Sequence, residues 1–493
     1  MTALEHIART NVLFLNWRDP AHPQAGGAEA YCFEIARRLA DSGARVTLFA
    51  ARFPGSRAGE SVDGVRVLRD GGTFGVYLAA AAHILRNRHI YDAVVDFQNG
   101  IPFFSPLFTP RWTANICVIH HIHQKQFDLF FPWPMNAVGR LLEKHISRWV
   151  YRGRAVVVVS PSTRQGVRVE LGFHNPIYLV PNGSPRPYAA RVARAATPTV
   201  AVVSRMTPQK RVDLLLRALP ELRRRWPDLR VDLAGDGTEL PSLRDLASAL
   251  GLDAAVEFHG HVSEEEKRAL LGTAWLTVVP SFAEGWGLTV IEANSMGTPA
   301  LAFDVPGLRD AVQHGYNGWL IPTSVPLSQG IAAALTELCD ADTRDRTAER
   351  CRAWSARFSW DDSAERLAEV VLEESRRVHR HRRSRRRTSD LAVISQFSAQ
   401  NGDDVEHALN TVLRETDRWS RRGDSFRLLL HGCDELRAAQ ALRRLGVVEA
   451  AFRLARRREE LVRPDVSDVG TPRATPTPTD LWRGGGLIGR DPA

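Results

Sequence analysis

The chain has 493 residues, more than one hydrophobic core accommodates and enough for about three domains. Apolar residues make up 44% and charged residues 25%, the values of an ordinary soluble globular protein. The net charge of +9 suggests a nucleic-acid binder until it is located: eight arginines and no acid lie in RRVHRHRRSRRR, residues 376–387, so the remaining surface is nearly balanced. That run suits acidic lipid or nucleic acid as well as a solvated linker; it is read as a linker, and no nucleic-acid partner is expected. Cys32, Cys117, Cys339, Cys351 and Cys433 show no CxxC spacing, which argues against a structural zinc or a disulfide framework and fits a reducing cytoplasm. The opening MTALEHIARTNVLFLNW lacks the apolar stretch of a signal peptide, and no segment approaches the roughly 20 apolar residues of a membrane span. The expected location is cytoplasmic, with membrane contact only at a surface, on the inner face.

From the start to about residue 330, apolar strand-like runs alternate with amphipathic helical stretches: NVLFLNW, RVTLFAA, DAVVDF, NICVIH, AVVVVS and IYLVPN, then TVAVVS, RVDLAG, VEFHGHV, LTVVPS, PALAFD and GWLIP. Continuous apolar strands separated by helices predict parallel sheets covered on both faces. The two sets are divided near residues 181–199, PNGSPRPYAARVARAATPT, which reads as an interdomain linker. The fold class is therefore α/β: two doubly wound Rossmann-like domains, residues 1–190 and 191–375, facing across a cleft at the carboxyl ends of their strands. Then follow a basic linker at 376–390, a small α+β module at 391–461, and a proline- and glycine-rich tail at 462–493, expected to be disordered.

The loops after the strands carry the candidate chemistry. Gly26 and Gly27 precede a helix starting near Ala28, and paired glycines let a ligand approach the backbone at a helix N-terminus. His120, His121 and His123 follow the fourth strand; one is expected to position a reacting group, while a strand-internal one fits a core histidine. Metal binding is not expected there, because no carboxylate or cysteine lies nearby in sequence. Arg205 and Lys210 flank one loop and suit a single anionic group, the arginine as a fork and the lysine as a point charge. Gly235, Asp236 and Gly237 form another tight turn, and HGHV, ending at Val262, offers backbone contacts to a flat base. Finally SFAEGWGLTVIEANSMG places Glu284 in a glycine turn and Glu292 in a helix beginning near Leu288. A helix N-terminus favours phosphate over carboxylate; two acids there suit a ligand with a diphosphate flanked by hydroxyls, as in a nucleotide sugar.

Together these residues resemble a retaining glycosyltransferase of family 4 with the two-domain GT-B fold, over roughly residues 11–375. EGWGLTVIE is similar to that family's E-x7-E element, SRMTPQKR to its arginine and lysine loop, and GGAE to its N-terminal glycine motif. The resemblance implies that Glu284 contacts the donor sugar hydroxyls and Glu292 the ribose. Arg205 and Lys210 would hold the diphosphate, and Gly26 and Gly27 would approach the phosphates or the acceptor. A histidine, with His121 favoured, would face the sugar hydroxymethyl. Gly235, Asp236, Val262, Gly285, Trp286, Gly287 and Leu288 complete the implied donor pocket, with the VPGLRD loop beside it. No metal or other cofactor is expected, and the helix after Ser359 should cross back over the first domain. Gln209 and Arg211 depart from the family's glutamate and glycine around the lysine.

The segment Leu413–Leu445 resembles the second half of a GGDEF domain, with RGDSF at 422–426 in place of GGDEF. Arg422 and Ser425 replace a glycine and an acid, so a contact module is expected rather than a cyclase. Stretches of the first domain that mix aromatic, apolar and basic residues, such as QFDLFFPWPMNAVGRLLEKHISRWVYR, suggest peripheral membrane contact and a glycan or lipid-linked acceptor. The expected function is hexosyl transfer from a nucleotide sugar. The alternatives are a nucleotide-sugar epimerase, a phosphorylase, or a non-catalytic nucleotide-binding scaffold.

Overall fold

The computed structural model describes residues 2–184, 192–381, 391–399, 401–413, 417–447 and 449–455. Part of the expected interdomain linker, most of the arginine run and the expected tail lie outside the described residues. Two compact units divide the chain, Met1–Thr388 and Ser389–Ala493.

The first unit holds two sheets. In the first are β1 (Asn11–Leu15), β2 (Arg45–Ala51), β3 (Gly59–Val62), β4 (Val65–Asp70), β5 (Ala93–Gln98), β6 (Ala114–Ile119), β7 (Ala155–Val158) and β8 (Ile177–Leu179). Their order is β3-β4-β2-β1-β5-β6-β7-β8. The second holds β9 (Thr199–Val203), β10 (Arg230–Ala234), β11 (Val256–Gly260), β12 (Leu276–Val279), β13 (Ala300–Phe303) and β14 (Gly318–Ile321), ordered β11-β10-β9-β12-β13-β14 and parallel throughout. All twelve apolar runs become strands, and the central ones are buried along their whole length, as strands covered on both faces must be. One edge departs from the expected parallel pattern: β3 pairs antiparallel with β4 through Asp63 and Gly64, both with positive φ, a two-residue hairpin turn. β4, paired between β3 and β2, alternates buried and exposed residues, the mark of a strand covered on one face only.

In each sheet the strand order reverses once, between β1 and β5 and between β9 and β12. A crevice outside the carboxyl ends forms at such points, so the loops after β1, β6, β9, β12 and β13 are the ones placed to meet a ligand.

The register also assigns the covering helices to sides. Leu13 lies beside Val94, Asp96 beside Cys117, and Cys117 beside Val156, so all share one face of the first sheet. On that face Val76, Ala80 and Ile84 of the helix Gly72–Arg86 pack against Leu13, Leu15 and Val94. Val150 and Tyr151, at the end of a helical run beginning at Met135, pack against Cys117, Ile119 and Val156. The opposite face carries Phe14 and Phe97, with Tyr31 of the helix Gly27–Asp41 against Phe97 at 6.2 Å. Over that helix runs Trp360–His381, 22 residues long, the crossing helix expected after Ser359. It is tied down by Arg38 to Asp361, by Glu365 accepting the N–H groups of Ala3 and Leu4, and by Ser363 donating to the Pro181 carbonyl at 2.7 Å.

The second unit is a split βαββαβ arrangement. β15 (Ala392–Ser398), β16 (Arg418–Arg422), β17 (Ser425–His431) and β18 (Ala451–Leu454) form an antiparallel sheet ordered β16-β17-β15-β18, with helices Gly402–Val412 and Glu435–Arg444 in the two α positions. Phe397 and Phe426 stack at 5.3 Å, and RGDSF forms the tip of the β16–β17 hairpin.

Candidate active site

The loop after β12 is the centre of the crevice. Its glycines are required by close approach. A Cβ on Gly285 would stand 2.5 Å from the His120 carbonyl oxygen and 3.7 Å from the His121 Cβ, so this loop of the second domain rests on the first. Gly287 has φ +88° and starts the helix Leu288–Ser295, whose Glu292 lies one turn in. Behind it, Gly307 (φ +83°) leaves no room either, its Cβ position being 2.2 Å from the Glu284 carbonyl oxygen. The VPGLRD loop thus braces Glu284 from the rear, and the Glu284 N–H donates to Pro306 at 3.3 Å.

Glu284 accepts from Lys210 Nζ at 2.5 Å, and the two side chains are only 17% and 16% exposed. Lys210 closes a short 3-10 turn, Pro208–Lys210, and the Gln209 carbonyl accepts the Phe282 N–H at 3.2 Å, which locks the lysine loop to the glutamate loop. Arg211 adopts φ +51°, a left-handed position better suited to the glycine of the family pattern it departs from. Arg205 reaches across the crevice: a Cβ on Gly26 would lie 3.6 Å from its Cζ and Nε and 3.7 Å from Glu29 Oε2. Glu29 in turn caps its own helix by accepting the Gly26 N–H at 2.8 Å. Gly27 faces the Leu288 side chain, its Cβ position 3.6 Å from Cδ2. Arg18, on the loop after β1, joins this group. Burial lowers its pKa, Glu29 opposes that, and Arg205 lowers it further. Arg18, bonded to Gln24, and Arg205, beside Gly26, are thus guanidiniums from opposite domains within electrostatic reach of each other, and Arg18 of Glu29 as well.

The three histidines separate into different roles. His120 is 5% exposed, with its ring edge-on to Tyr31 at 4.8 Å and its Nε2 without a hydrogen-bond partner; burial, with His123 adding, pushes its pKa down to about 3. It is the core member. His121 is pushed well below the ordinary histidine value by burial first and by His123, His120 and Lys210 as well, against a contact from its Nε2 to Gln126 at 3.1 Å. A neutral imidazole therefore sits within electrostatic reach of Lys210. His123 lies against His121 with ring centroids 3.8 Å apart and tilted by 34°, and its Nδ1 lies 3.4 Å from Glu143 Oε1. That fully buried carboxylate, twenty residues along the chain, corrects the reading that no acid lies near these histidines; Glu143 accepts the His123 N–H at 2.7 Å and a Gln124 amide at 2.7 Å.

The remaining predicted residues fall around this centre. Gly235 and Gly237 take φ +130° and +157° because Cβ atoms would strike the Ser204 and Met206 carbonyls at 1.8 and 2.3 Å; the turn is a buttress for the Arg205 loop, and the Asp236 carbonyl accepts the Met206 N–H at 2.9 Å. Trp286 is buried edge-on to Phe358 at 4.9 Å, its indole N–H unpartnered. Val262 is half-buried just after β11. Glu292 is paired with Lys267 at 2.9 Å; burial raises its carboxyl pKa and Lys267 opposes. Among the described residues, buried polar atoms without partners gather here: His120 Nε2, Ser204 Oγ, Thr207 Oγ1, Ser281 Oγ and Trp286 Nε1. Buried polar groups are ordinarily bonded, so these five, on the loops after β6, β9 and β12, are candidates to meet a polar ligand.

Sequence reasoning missed Arg18, Glu29, Lys267 and the seam formed by Asp310. Asp310 Oδ2 accepts the Ser162 N–H at 2.9 Å, in the first turn of the helix Pro161–Val169 of the other domain. Thr163 Oγ1 in the same turn donates to the His120 carbonyl at 3.1 Å or the Gly285 carbonyl at 3.3 Å. Glu29 follows GGA with capping spacing, a signal available in the sequence; the others depend on pairings across domains. Among the described residues, Asp232, Glu257 and His259 are the one group with metal-ligand spacing, and they lie on β10 and β11. No helix among the described residues is long and apolar enough to cross a membrane.

Two Rossmann-like domains with a phosphate-suited, acid-bearing crevice between them define a GT-B glycosyltransferase. Family models agree: residues 25–186 match Glycosyltransferase Family 4 and residues 191–357 match Glycosyl transferases group 1. The chain belongs to this glycosyltransferase family. It is 31% identical over 404 residues to the D-inositol 3-phosphate glycosyltransferase of Thermobispora bispora, covering 73% of this chain and 93% of that one. It is 37% identical to the corresponding protein of Nocardioides sp., covering 75% and 90%. Among solved structures, sucrose-phosphate synthase from Thermosynechococcus elongatus matches with TM-score 0.61 at 20% identity, over 74% of this chain and 99% of that one. The Anabaena Alr3699/HepE complex with UDP-glucose matches with TM-score 0.55 at 18% identity, over 73% and 99%.

Proposed function

We propose that the protein is a retaining, metal-independent hexosyltransferase that moves a sugar from a nucleotide-sugar donor to a glycan or lipid-linked acceptor. The observation that carries this reading is the Lys210–Glu284 pair, held on a loop that rests on His120 and His121, with Arg205 standing over Gly26. A diphosphate entering there meets Arg205, Lys210 and the backbone beside Gly26 and Gly27. Glu284, half-neutralised by Lys210, accepts from the sugar hydroxyls, and Glu292 accepts from the ribose. In the transfer, the bond from the anomeric carbon to the diphosphate oxygen breaks and a bond to the acceptor oxygen forms on the same face. The acceptor proton passes to the leaving phosphate. Preorganised positive charge at the leaving group is the kind of term that contributes most to such a rate. Neutral His121 suits the sugar hydroxymethyl because it adds no repulsion to Lys210. The C-terminal unit serves as a contact module, and the enzyme acts in the cytoplasm with peripheral membrane contact.

The test is nucleotide release from a panel of UDP-, GDP-, ADP- and TDP-sugars, with and without chelator, in the native protein and in Glu284→Ala and Glu292→Ala. UDP-glucose is tried first, because the HepE structure of similar fold was solved in complex with it. Chelator-insensitive release from one donor, lost in Glu284→Ala, and nucleotide affinity weakened in Glu292→Ala are the expected results. Release that requires a divalent ion, or that survives Glu284→Ala, refutes the reading.

A further inference from the structure

The helices Glu264–Thr273 and Leu288–Ser295 meet along one seam of the second domain. Leu271, Ala293 and Met296 form its apolar part, packed with Ala201 of β9. One turn earlier on the same helical faces, four residues before Leu271 and Met296, stand Lys267 and Glu292. Both helices start after the carboxyl end of a strand, β11 and β12, so the earlier turn is the one nearer the crevice. There the seam ends in an ion pair: Lys267 Nζ donates to Glu292 Oε1 at 2.9 Å, with the side chains 14% and 12% exposed. Lys267 also donates to Glu264 at 2.9 Å, whose side chain is largely in solvent.

Two loops bracket this pair. Thr289 Oγ1 donates to the Val203 carbonyl at 3.1 Å, which ties the Glu292 helix to the end of β9, two residues before Arg205. Ser204 lies between them, its hydroxyl buried and unpartnered. On the other side, the HGHV loop leads directly into the Lys267 helix, and the turn is fixed by a capping box: Ser263 Oγ accepts the Glu266 N–H at 3.2 Å, and the Glu266 carboxylate accepts the Ser263 N–H at 2.8 Å. In a nucleoside diphosphate the ribose lies between phosphate and base, and the pair lies between the loops suited to those two groups.

A nearly buried ion pair is weak evidence of a stabilising role, because desolvation offsets the attraction. Its chemistry fits a ligand better. A hydroxyl both donates and accepts, a carboxylate only accepts and an ammonium only donates. Of the three N–H groups of Lys267, Glu264 and Glu292 take two. Among the described residues the Glu292 carboxylate has no hydrogen-bond partner but Lys267. Burial raises the Glu292 carboxyl pKa and Lys267 opposes it; burial would lower the Lys267 pKa, but Glu292 and Glu264 hold it above its ordinary value. Each ion keeps the other charged.

We infer that Lys267 is a specificity-determining residue: beside Glu292 it completes an acceptor and donor pair for a ribose 2′,3′-diol, so that ribonucleotide sugars are taken as donors and 2′-deoxyribonucleotide sugars are rejected. Each hydroxyl can donate to the carboxylate, and one can accept the third ammonium N–H. Without the 2′-hydroxyl, part of a nearly buried ion pair is left unmatched. The inference rests on the ribose role given to Glu292 in the transfer reading above.

The test is calorimetry on the full chain with UDP, GDP and ADP, each beside its 2′-deoxy counterpart, and with inorganic pyrophosphate. For the base that binds, the native protein should prefer the ribonucleotide by about ten- to a hundredfold. In Lys267→Met that ratio should fall to within about threefold, with pyrophosphate affinity unchanged. Equal native affinity for the two sugars overturns the inference, and this comparison decides even where Lys267→Met does not fold. A ratio that survives Lys267→Met, or pyrophosphate affinity that falls with it, overturns it as well, because Lys267 then serves the fold and not the ribose. Turnover of a TDP-sugar, whose nucleoside is a 2′-deoxyribonucleoside, at the rate of the UDP-sugar overturns this inference and leaves the transfer reading standing. The expected ratio without turnover on any donor does the reverse.

Discussion

Gly285 tests whether the seam between the domains sets the geometry of the reacting groups. A methyl group in Gly285→Ala would lie 2.5 Å from the His120 carbonyl oxygen, whereas real Cβ contacts essentially never fall under 3.0 Å. The obstacle is backbone, held in place by the Thr163 hydroxyl and by the buried His120 ring, so it cannot swing aside like a flexible side chain. The two domains must part by at least the 0.5 Å difference, at the loop that carries Glu284. Overpacking of this kind costs about 1–3 kcal/mol of stability. Misplacement of reacting groups on the scale of an ångström costs about a hundredfold in rate. Donor turnover should therefore fall by about ten- to a hundredfold. Steady-state nucleotide release beside a urea melt measures both. Gly75→Ala is the control, since nothing lies within 4 Å of its Cβ position and the residue sits in a helix with ordinary φ; it should stabilise by about 0.4–1 kcal/mol and leave turnover unchanged. A Gly285→Ala protein with native turnover would mean that the contact with His120 does not position Glu284.

Lys210→Met removes the cation from Glu284 and from the leaving diphosphate, and should lower kcat by about a hundred- to a thousandfold; a loss under about tenfold would contradict the pairing's role. His120 should make the fold acid-sensitive. Its folded pKa of about 3 lies below its ordinary 6.5, so the unfolded chain binds the extra proton, and stability is full above pH 6.5 and falls as pH drops towards 3. At pH 5 the loss from this residue is about 2 kcal/mol, and urea melts of native protein and His120→Gln at pH 7 and pH 5 should differ by that amount in their pH dependence. Asp310→Ala strips the acceptor from the Ser162 N–H, and should cost about 0.5–2 kcal/mol in a urea melt.

The sheets were legible because buried parallel strands are nearly uninterrupted apolar runs, and VLFL, AVVDF, NICVI and AVVV are of that kind. The hairpin Gly59–Asp70 escaped because a strand covered on one face alternates, and VRVLRD carries as much charge as a surface loop. The loops after strands were legible by position, and the structure brings Arg205 to Gly26 and Lys210 to Glu284. The partners supplied by folding were not. Glu143 meets His123 only because a helix returns across β6, and Asp310 meets Ser162 only because two domains touch. Nor does local sequence reveal that Glu292 has a standing partner in Lys267, 25 residues earlier.

The crossing of the chain back onto the first domain has a mechanical consequence. The Ser184 N–H donates to the Phe358 carbonyl at 2.9 Å and Ser184 bridges Ser359, so the outgoing and returning segments lie side by side. Gly183 permits this, because a Cβ there would fall 2.3 Å from the Trp360 nitrogen. A single tether leaves a joint free to swivel and twist. Two abutting tethers remove most of the twist and leave chiefly a hinge axis along the pair. Any opening of the crevice is then biased towards a door-like swing. Registration of the two half-sites is thus favoured by the chain crossing itself.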